Sequence, residues 1–114
     1  MAVRIAHDGG MGPGIVGFDW DKGNRNKCKK HGVPIATIES LFHGPLAVVP
    51  DPTHSDTEER FKAIGCTNEG RGVLIVFTLR RYEGDTFIRP VSARYMHRKE
   101  VEHYEKAITE ANQR

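Results

Sequence analysis

The sequence predicts an α+β fold in which an antiparallel β-meander is packed against helices on one face. Three features indicate this fold. The apolar run from Gly72 to Leu79 is typical of a central strand that is covered on both faces. Short polar turns at residues 68–70 and 83–85 would join this strand to its neighbours. Helical spacing of apolar residues before and after these strands predicts the order β-α-α-β-β-β-β-α.

Caps and apolar spacing predict three helices. Asp21 is a natural N-cap for a short polar helix, and Gly32 is a typical stop signal for it. A second helix starts at Val33–Pro34 and ends at Gly44–Pro45. The third helix is amphipathic and closes the chain. The predicted helices cover residues 22–31, 33–43 and 98–112.

Period-two patterns predict five strands. They cover residues 15–20, 46–49, 60–65, 72–79 and 86–93. Pro90 lies inside the last strand, where a residue without a backbone N–H predicts an edge position or a β-bulge.

An antiparallel sheet covered on one face leaves its other face open to solvent. Alternation along the strand at residues 60–65 places Arg60 and Lys62 on this open face. The parity of the next two strands leaves a choice of arginine in each. We expect one member of each of two pairs on the open face: Arg80 or Arg81, and Arg89 or Arg94.

Length and composition indicate one globular domain. The chain has 114 residues, and its apolar content of 38% and charged content of 28% are ordinary for such a domain. Residues 1–14 are rich in glycine, so we expect a flexible tail there and a single domain over residues 15–114. No apolar run approaches a membrane span, and no secretion signal is evident, which predicts a cytoplasmic protein with Cys28 and Cys66 as free thiols.

The charge of the chain is strongly uneven. Nine basic and three acidic residues lie between Arg60 and Lys99, whereas residues 32–59 contain no lysine or arginine. Seven of the nine bases are arginine, which favours forked contacts with phosphate. A cationic half on a nearly neutral protein indicates a surface for a polyanion.

Short motifs between residues 18 and 104 form an ordered set. They are Phe18-Asp19-Trp20-Asp21, Lys30-His31-Gly32-Val33, Asp51-Pro52, His54-Ser55, Glu59-Arg60-Phe61, Ile64-Gly65, and Ser92-Ala93-Arg94 with Arg98, Glu100 and Tyr104. No single motif is specific, but together they resemble the BrnT family of toxins.

This resemblance implies a fold similar to RelE-type toxins and a ribonuclease activity that arrests translation. It also implies a cognate antitoxin, expected to carry a ribbon-helix-helix element, and operator DNA binding by the toxin–antitoxin complex. The expected substrate is RNA.

RNA cleavage without a metal needs a base for the ribose 2′-OH, cations for the phosphate and an acid for the leaving oxygen. His31 suits either proton-transfer role, although it could equally cap a helix. Glu59 could act as base, orient an arginine or form a structural ion pair, but it lines one site with Arg60 only if a bulge intervenes, because adjacent strand residues point to opposite faces. Arg94 could bind phosphate or pair with Glu100 or Glu102. The predicted catalytic residues are His31, Glu59, Arg60 and Arg94, and the predicted phosphate ligands are Lys30, Lys62, Arg81 and Arg89.

The sequence also allows a possible metal site and an alternative function to be considered. Cys28, His31 and Cys66 could supply three zinc ligands, but a fourth is missing, so we expect no metal and no cofactor. The alternative function is a non-catalytic cationic module that docks an antitoxin and assists operator DNA binding.

Overall fold

A computed structural model describes residues 4–6, 14–51 and 58–112, with side chains described for 14–51 and 58–106. Within these residues, one six-stranded sheet and three helices form an α+β fold, which confirms the predicted class. In chain order, the elements are β1 (Arg4–Ala6), β2 (Ile15–Phe18), α1 (Lys22–Lys29), α2 (Ile35–Phe42), β3 (Leu46–Pro50), β4 (Arg60–Cys66), β5 (Gly72–Tyr82), β6 (Asp85–Tyr95) and α3 (Arg98–Asn112).

The sheet has the order β1-β3-β4-β5-β6-β2. Its four middle strands form the predicted antiparallel meander. The prediction of a purely antiparallel sheet was wrong, because β2 pairs with β6 in parallel at one edge. Parallel pairing requires a long connection, and the chain supplies one through α1, α2 and the three intervening strands.

The opposite edge of the sheet contains three residues of the segment that was expected to form a flexible tail. Arg4–Ala6 pairs with β3 in antiparallel register, so this part of the segment belongs to the sheet. Residues 1–3 and 7–13 lie outside the described residues.

A β-bulge interrupts the pairing of β5 with β6. Val76 lies opposite Ser92 and Phe77 lies opposite Pro90, which leaves Val91 as an extra residue. The prediction of a bulge at Pro90 is therefore confirmed. The alternative of an edge strand was wrong, because β6 lies between β5 and β2.

This extra residue reverses the alternation of β6 beyond Pro90. Arg89 lies opposite Thr78, and Arg94 lies opposite Leu74. Thr78 and Leu74 share a face of β5, because they are four residues apart. The expectation that only one of the two arginines would share a face with Arg60 was wrong: the bulge places both there.

The helices cover both faces of the sheet. Helices α1 and α2 pack on one face over the larger core, to which Cys28, Ile38, Ile75 and Phe77 belong. On the other face, Tyr104 of α3 packs with Met96 against a smaller core. That core contains Ala47, Val49, Ile64 and Leu74.

The prediction of helices on one face was therefore wrong. Gly72 is one reason that α3 can approach the second face, because a Cβ at this position would lie 2.5 Å from Cγ2 of Val101. Among the described side chains, α3 contacts this face at one end, around Gly72, Leu74 and Met96.

Local signals for the ends of α1 are confirmed. The Asp21 carboxylate accepts from the backbone N–H of Asn24, whose side chain accepts in turn from the backbone N–H of Asp21. After the helix, Gly32 adopts a φ of +84°, the left-handed conformation that ends many helices. Among the described residues, no helix combines the length and apolar character that a bilayer crossing requires.

Candidate active site

Five basic side chains lie on the sheet face against which α3 packs. Four of them lie beyond the end that α3 contacts. We refer to this set as the cationic face; its members are Arg60, Lys62, Arg80, Arg89 and Arg94. Arg60 and Arg89 both pair with Thr78, one from each side, so they lie two strand spacings apart, or about 10 Å between Cα atoms.

Thr78, which lies between Arg60 and Arg89, stabilises the backbone at this position. Its side chain is buried, and its hydroxyl donates a hydrogen bond of 2.9 Å to the carbonyl oxygen of Glu59. The carbonyl oxygen of Arg60 accepts from the backbone N–H of Asp51 at 2.9 Å. Both bonds hold the start of β4, where Glu59 and Arg60 lie.

Arg89 is held by two carboxylates at the start of α1. Its guanidinium lies 2.8 Å from Oδ2 of Asp21 and 3.4 Å from Oδ2 of Asp19. The Tyr82 hydroxyl donates to the same Asp19 oxygen at 3.0 Å. The pKa of Asp21 lies below its usual value, because the backbone N–H of Asn24, and then Arg89, favour its ionised form.

Arg94 is held by Glu100 of α3. Both guanidinium NH2 groups donate to the carboxylate at 2.8 Å, which is a bidentate arrangement. Glu100 also accepts from the backbone N–H of His97 at 3.0 Å and so helps to cap α3. The hydrogen bond with Arg94 is the main reason that the pKa of Glu100 falls to about 2, and it raises the pKa of Arg94.

Arg80 is the third paired arginine. Its Nε lies 2.6 Å from Oε2 of Glu58, and its Nη2 donates a hydrogen bond of 3.2 Å to Oε1. Hydrogen bonding to Glu58 raises the pKa of Arg80. Arg60 and Lys62 differ from these three arginines. Both are half-buried, and no ion pair or side-chain hydrogen bond is found for either within residues 14–51 and 58–106.

The structure brings four predicted residues together on the cationic face: Arg60, Lys62, Arg89 and Arg94. Glu59 is exposed and immediately precedes β4. Arg81 lies elsewhere, because it alternates with Arg80 and shares the helix-covered face with Phe77. Its predicted grouping with Arg60 was wrong, and Arg80 takes that place.

His31 and Lys30 also lie away from the cationic face. Both are exposed at the C-terminal end of α1, next to Val33 of the larger core. Asp21 reaches Arg89 from the other end of this helix, and eight residues of helix separate the two ends by about 12 Å. The length of α1 therefore separates His31 from Arg89.

Sequence reasoning missed the acids that hold Arg80 and Arg89, whereas Glu100 was one of the two partners considered for Arg94. Asp21 was predicted as a helix cap, and its second contact with Arg89 is set by the pairing of distant elements. Glu58 carries the ion pair that was considered for its neighbour Glu59. A weak signal existed, since Asp19 and Asp21 flank Trp20 in the first motif of the resemblance.

The two cysteines are free and lie in different environments. Cys28 is buried in the larger core, and burial raises the pKa of its thiol to about 11. Cys66 is exposed at the end of β4. Within the described residues, no group of three or more His, Cys, Asp or Glu side chains is placed to hold a metal ion.

Comparison with known proteins identifies the family. A family model described as the ribonuclease toxin BrnT of type II toxin–antitoxin systems matches residues 19–100. The match runs from the Asp19 that contacts Arg89 to the Glu100 that contacts Arg94, and so contains every ion pair of the cationic face. No curated protein gives a significant match. The chain belongs to the BrnT family, the ribonuclease toxins of type II toxin–antitoxin systems.

Proposed function

We propose that this protein is an endoribonuclease toxin that cleaves RNA on the cationic face. The observation that carries the proposal is that Arg60 and Lys62 are half-buried on one face of β4, without an acidic partner in the described part of the chain. A desolvated cation without a counterion gains most from an anionic ligand. RNA offers such a ligand at every phosphate.

The proposed reaction is attack of the ribose 2′ oxygen on the adjacent phosphorus, with departure of the 5′ oxygen. Glu59 precedes β4, so the alternation of that strand does not fix the direction of its side chain. In the proposed reaction Glu59 takes the proton of the 2′-OH, and Arg60 stabilises the charge that builds on the phosphate oxygens. The Lys62 ammonium supplies the proton that the leaving 5′ oxygen takes up. The products are a 2′,3′-cyclic phosphate and a free 5′-hydroxyl, and no step requires a metal ion.

Arg89 and Arg94 have a supporting part in this proposal. Their guanidinium groups are already oriented by Asp21 and Glu100, so little side-chain entropy is lost when RNA binds. They add positive potential beside Arg60, although their neighbouring carboxylates reduce it. His31, Lys30 and Arg81 have no role in the proposed reaction, because they lie away from Arg60.

The biological setting of the proposal follows from the family. We expect a cytoplasmic toxin that inhibits translation and is neutralised by a cognate antitoxin of the ribbon-helix-helix type. The toxin–antitoxin complex, and not the free toxin, would bind operator DNA. A RelE-like arrangement of the fold belongs to the same proposal.

A non-catalytic binding module is the second candidate function. It is favoured by the ion pairs of Arg80, Arg89 and Arg94, because acids already neutralise three of the five cations on the face. Such a module would dock an antitoxin and assist operator DNA binding without cutting RNA.

Incubation of the purified protein with RNA separates the two functions. The enzyme should generate fragments with cyclic phosphate ends, at equal rates in EDTA and in magnesium. Lys62→Ala should slow cleavage, whereas Lys27→Ala, which removes an exposed lysine of α1, should not. RNA that is bound but remains intact at stoichiometric protein would favour the binding module, and cleavage abolished by EDTA would contradict the metal-free chemistry.

A further inference from the structure

An aromatic pair adjoins the cationic face at the tip of the β5–β6 hairpin. Phe87 lies opposite Arg80, and Tyr82 follows Arg80 by two residues on the same face of β5. Their ring centroids are 5.7 Å apart with a tilt of 58°. Tyr82 is 49% exposed, although aromatic side chains usually bury most of their surface.

The Tyr82 ring is held in one orientation despite this exposure. Its hydroxyl donates to Oδ2 of Asp19, which also contacts Arg89. On the β2 side, the neighbour of Phe87 is Gly17, which has no side chain to cover the aromatic ring. The pair therefore presents a partly exposed aromatic surface that is already ordered.

The aromatic pair lies close to the basic residues of the cationic face. Phe87 pairs with Arg80, whereas Arg60 and Arg89 pair with Thr78. Arg80 and Thr78 are two residues apart on β5, so Phe87 lies about 7 Å along the strands from the two arginines. Aromatic side chains beside a cationic groove are the usual arrangement for binding single-stranded nucleic acid, because every base has a face that can stack. A docking protein would need no phosphate-binding cations one row away, so the charge favours RNA.

We propose that Tyr82 and Phe87 form a base-stacking subsite, which takes one nucleobase of a single-stranded RNA whose phosphates lie on Arg60 and Lys62. This inference rests on the proposed function and deepens it by naming single-stranded RNA as the substrate class. Paired bases are shielded by stacking within a duplex and cannot enter this subsite.

Binding of two uncleavable probes tests the subsite. One is a single-stranded 2′-O-methyl octanucleotide, which lacks the attacking hydroxyl, and the other is its fully abasic counterpart. Fluorescence anisotropy should give a dissociation constant about 5- to 100-fold lower for the base-bearing probe. Tyr82→Ala should remove most of this difference while leaving the affinity for the abasic probe unchanged, and Tyr82→Phe should retain it.

Two further variants serve as controls. Leu79→Ala removes an exposed apolar side chain from the other face of the same strand and should preserve the preference for bases. Phe87→Leu should reduce the preference, which provides a second test if Tyr82→Ala does not fold. Thermal melting of every variant establishes that it is folded.

The possible failures are distinguishable. If wild-type protein cleaves RNA but binds both probes equally, or if Tyr82→Ala weakens both probes equally, the subsite is wrong and the proposed function stands. If wild-type protein binds neither probe and cleaves no RNA, the proposed function itself is wrong. A Tyr82→Ala protein that retains the base preference but escapes its antitoxin would show a protein-docking surface instead and overturn the subsite.

Discussion

The side-chain amide of Asn24 donates a hydrogen bond of 2.9 Å to the carbonyl oxygen of Pro90. Asn24 is buried near the start of α1, and Pro90 lies in the bulge of β6, 66 residues later in the chain. The same amide group donates to the carbonyl oxygen of Asp19 at 2.9 Å. One side chain therefore connects the bulge that follows Arg89 with the segment that supplies the acids of Arg89.

We predict that Asn24→Ala lowers the free energy of unfolding by about 1–3 kcal/mol, because one buried and one partly buried carbonyl group lose their donor and the helix loses half of its capping box. Urea denaturation measures the change. Asn26→Ala, at an exposed position of the same helix, should change the value by no more than about 0.5 kcal/mol. Equal effects of the two substitutions would mean that the contact with Pro90 contributes nothing.

The Arg94–Glu100 pair should make the folded state sensitive to acid. Because folding lowers the pKa of Glu100 from its ordinary value of 4.5 to about 2, the stabilisation is present above pH 4.5 and is lost as the pH falls toward 2. We predict that Glu100→Gln flattens the pH dependence of the unfolding free energy over this window. Glu102→Gln, which alters a more exposed carboxylate on α3, should leave the slope close to that of the wild type. An unchanged slope in Glu100→Gln would contradict this assignment.

The two thiols should differ strongly in reactivity. Cys28 is buried with a pKa of about 11, so almost none of it is thiolate at pH 8, whereas Cys66 is exposed. We predict that a disulfide reagent at pH 8 labels one thiol in the folded protein and both in denaturant. Cys66→Ser should abolish the rapid labelling; rapid labelling that persists in this variant would show that Cys28 is accessible.

Glu59 and Glu58 form a natural pair of variants for the proposed base. Glu59→Gln preserves shape but removes the group that takes the 2′-OH proton, so we expect the cleavage rate to fall about 10²- to 10⁴-fold. Glu58→Gln should have a smaller effect, because the partner of Glu58 within the described residues is Arg80. Single-turnover cleavage of a defined RNA measures both rates, and a Glu59→Gln enzyme with the wild-type rate would exclude Glu59 as the base.

Local sequence signals predicted the parts of the fold that depend on neighbouring residues. The cap at Asp21, the stop at Gly32 and the central strand from Gly72 each follow from a few adjacent side chains. Pairing between distant segments was harder to predict. Nothing adjacent to Ile15–Phe18 indicates that this strand pairs in parallel with β6, and α3 has an apolar stripe that either sheet face could bury.

In the candidate site, too, the features set by neighbouring residues were predicted, and those set by distant contacts were not. Alternation along β4 correctly placed Arg60 and Lys62 on one face. Alternation along β6 failed at Arg94, because one extra residue at Val91 reverses every position that follows. The acid partners Asp19 and Glu58 are set by tertiary contacts, which explains why sequence reasoning did not identify them. Glu100 lies only six residues after Arg94, and the sequence already offered it as a partner.

The central claim is that RNA cleavage depends on Arg60 and Lys62, the cations of one sheet face that have no acidic partner in the described residues. A comparison of Arg60→Ala with Arg81→Ala tests it most directly. Both substitutions remove one arginine without a recorded acidic partner in the described residues, but from opposite faces of the sheet. The account predicts that Arg60→Ala lowers the single-turnover cleavage rate about 10²- to 10³-fold, whereas Arg81→Ala stays within about threefold of the wild type. Equal losses in the two variants, or a larger loss in Arg81→Ala, would contradict it.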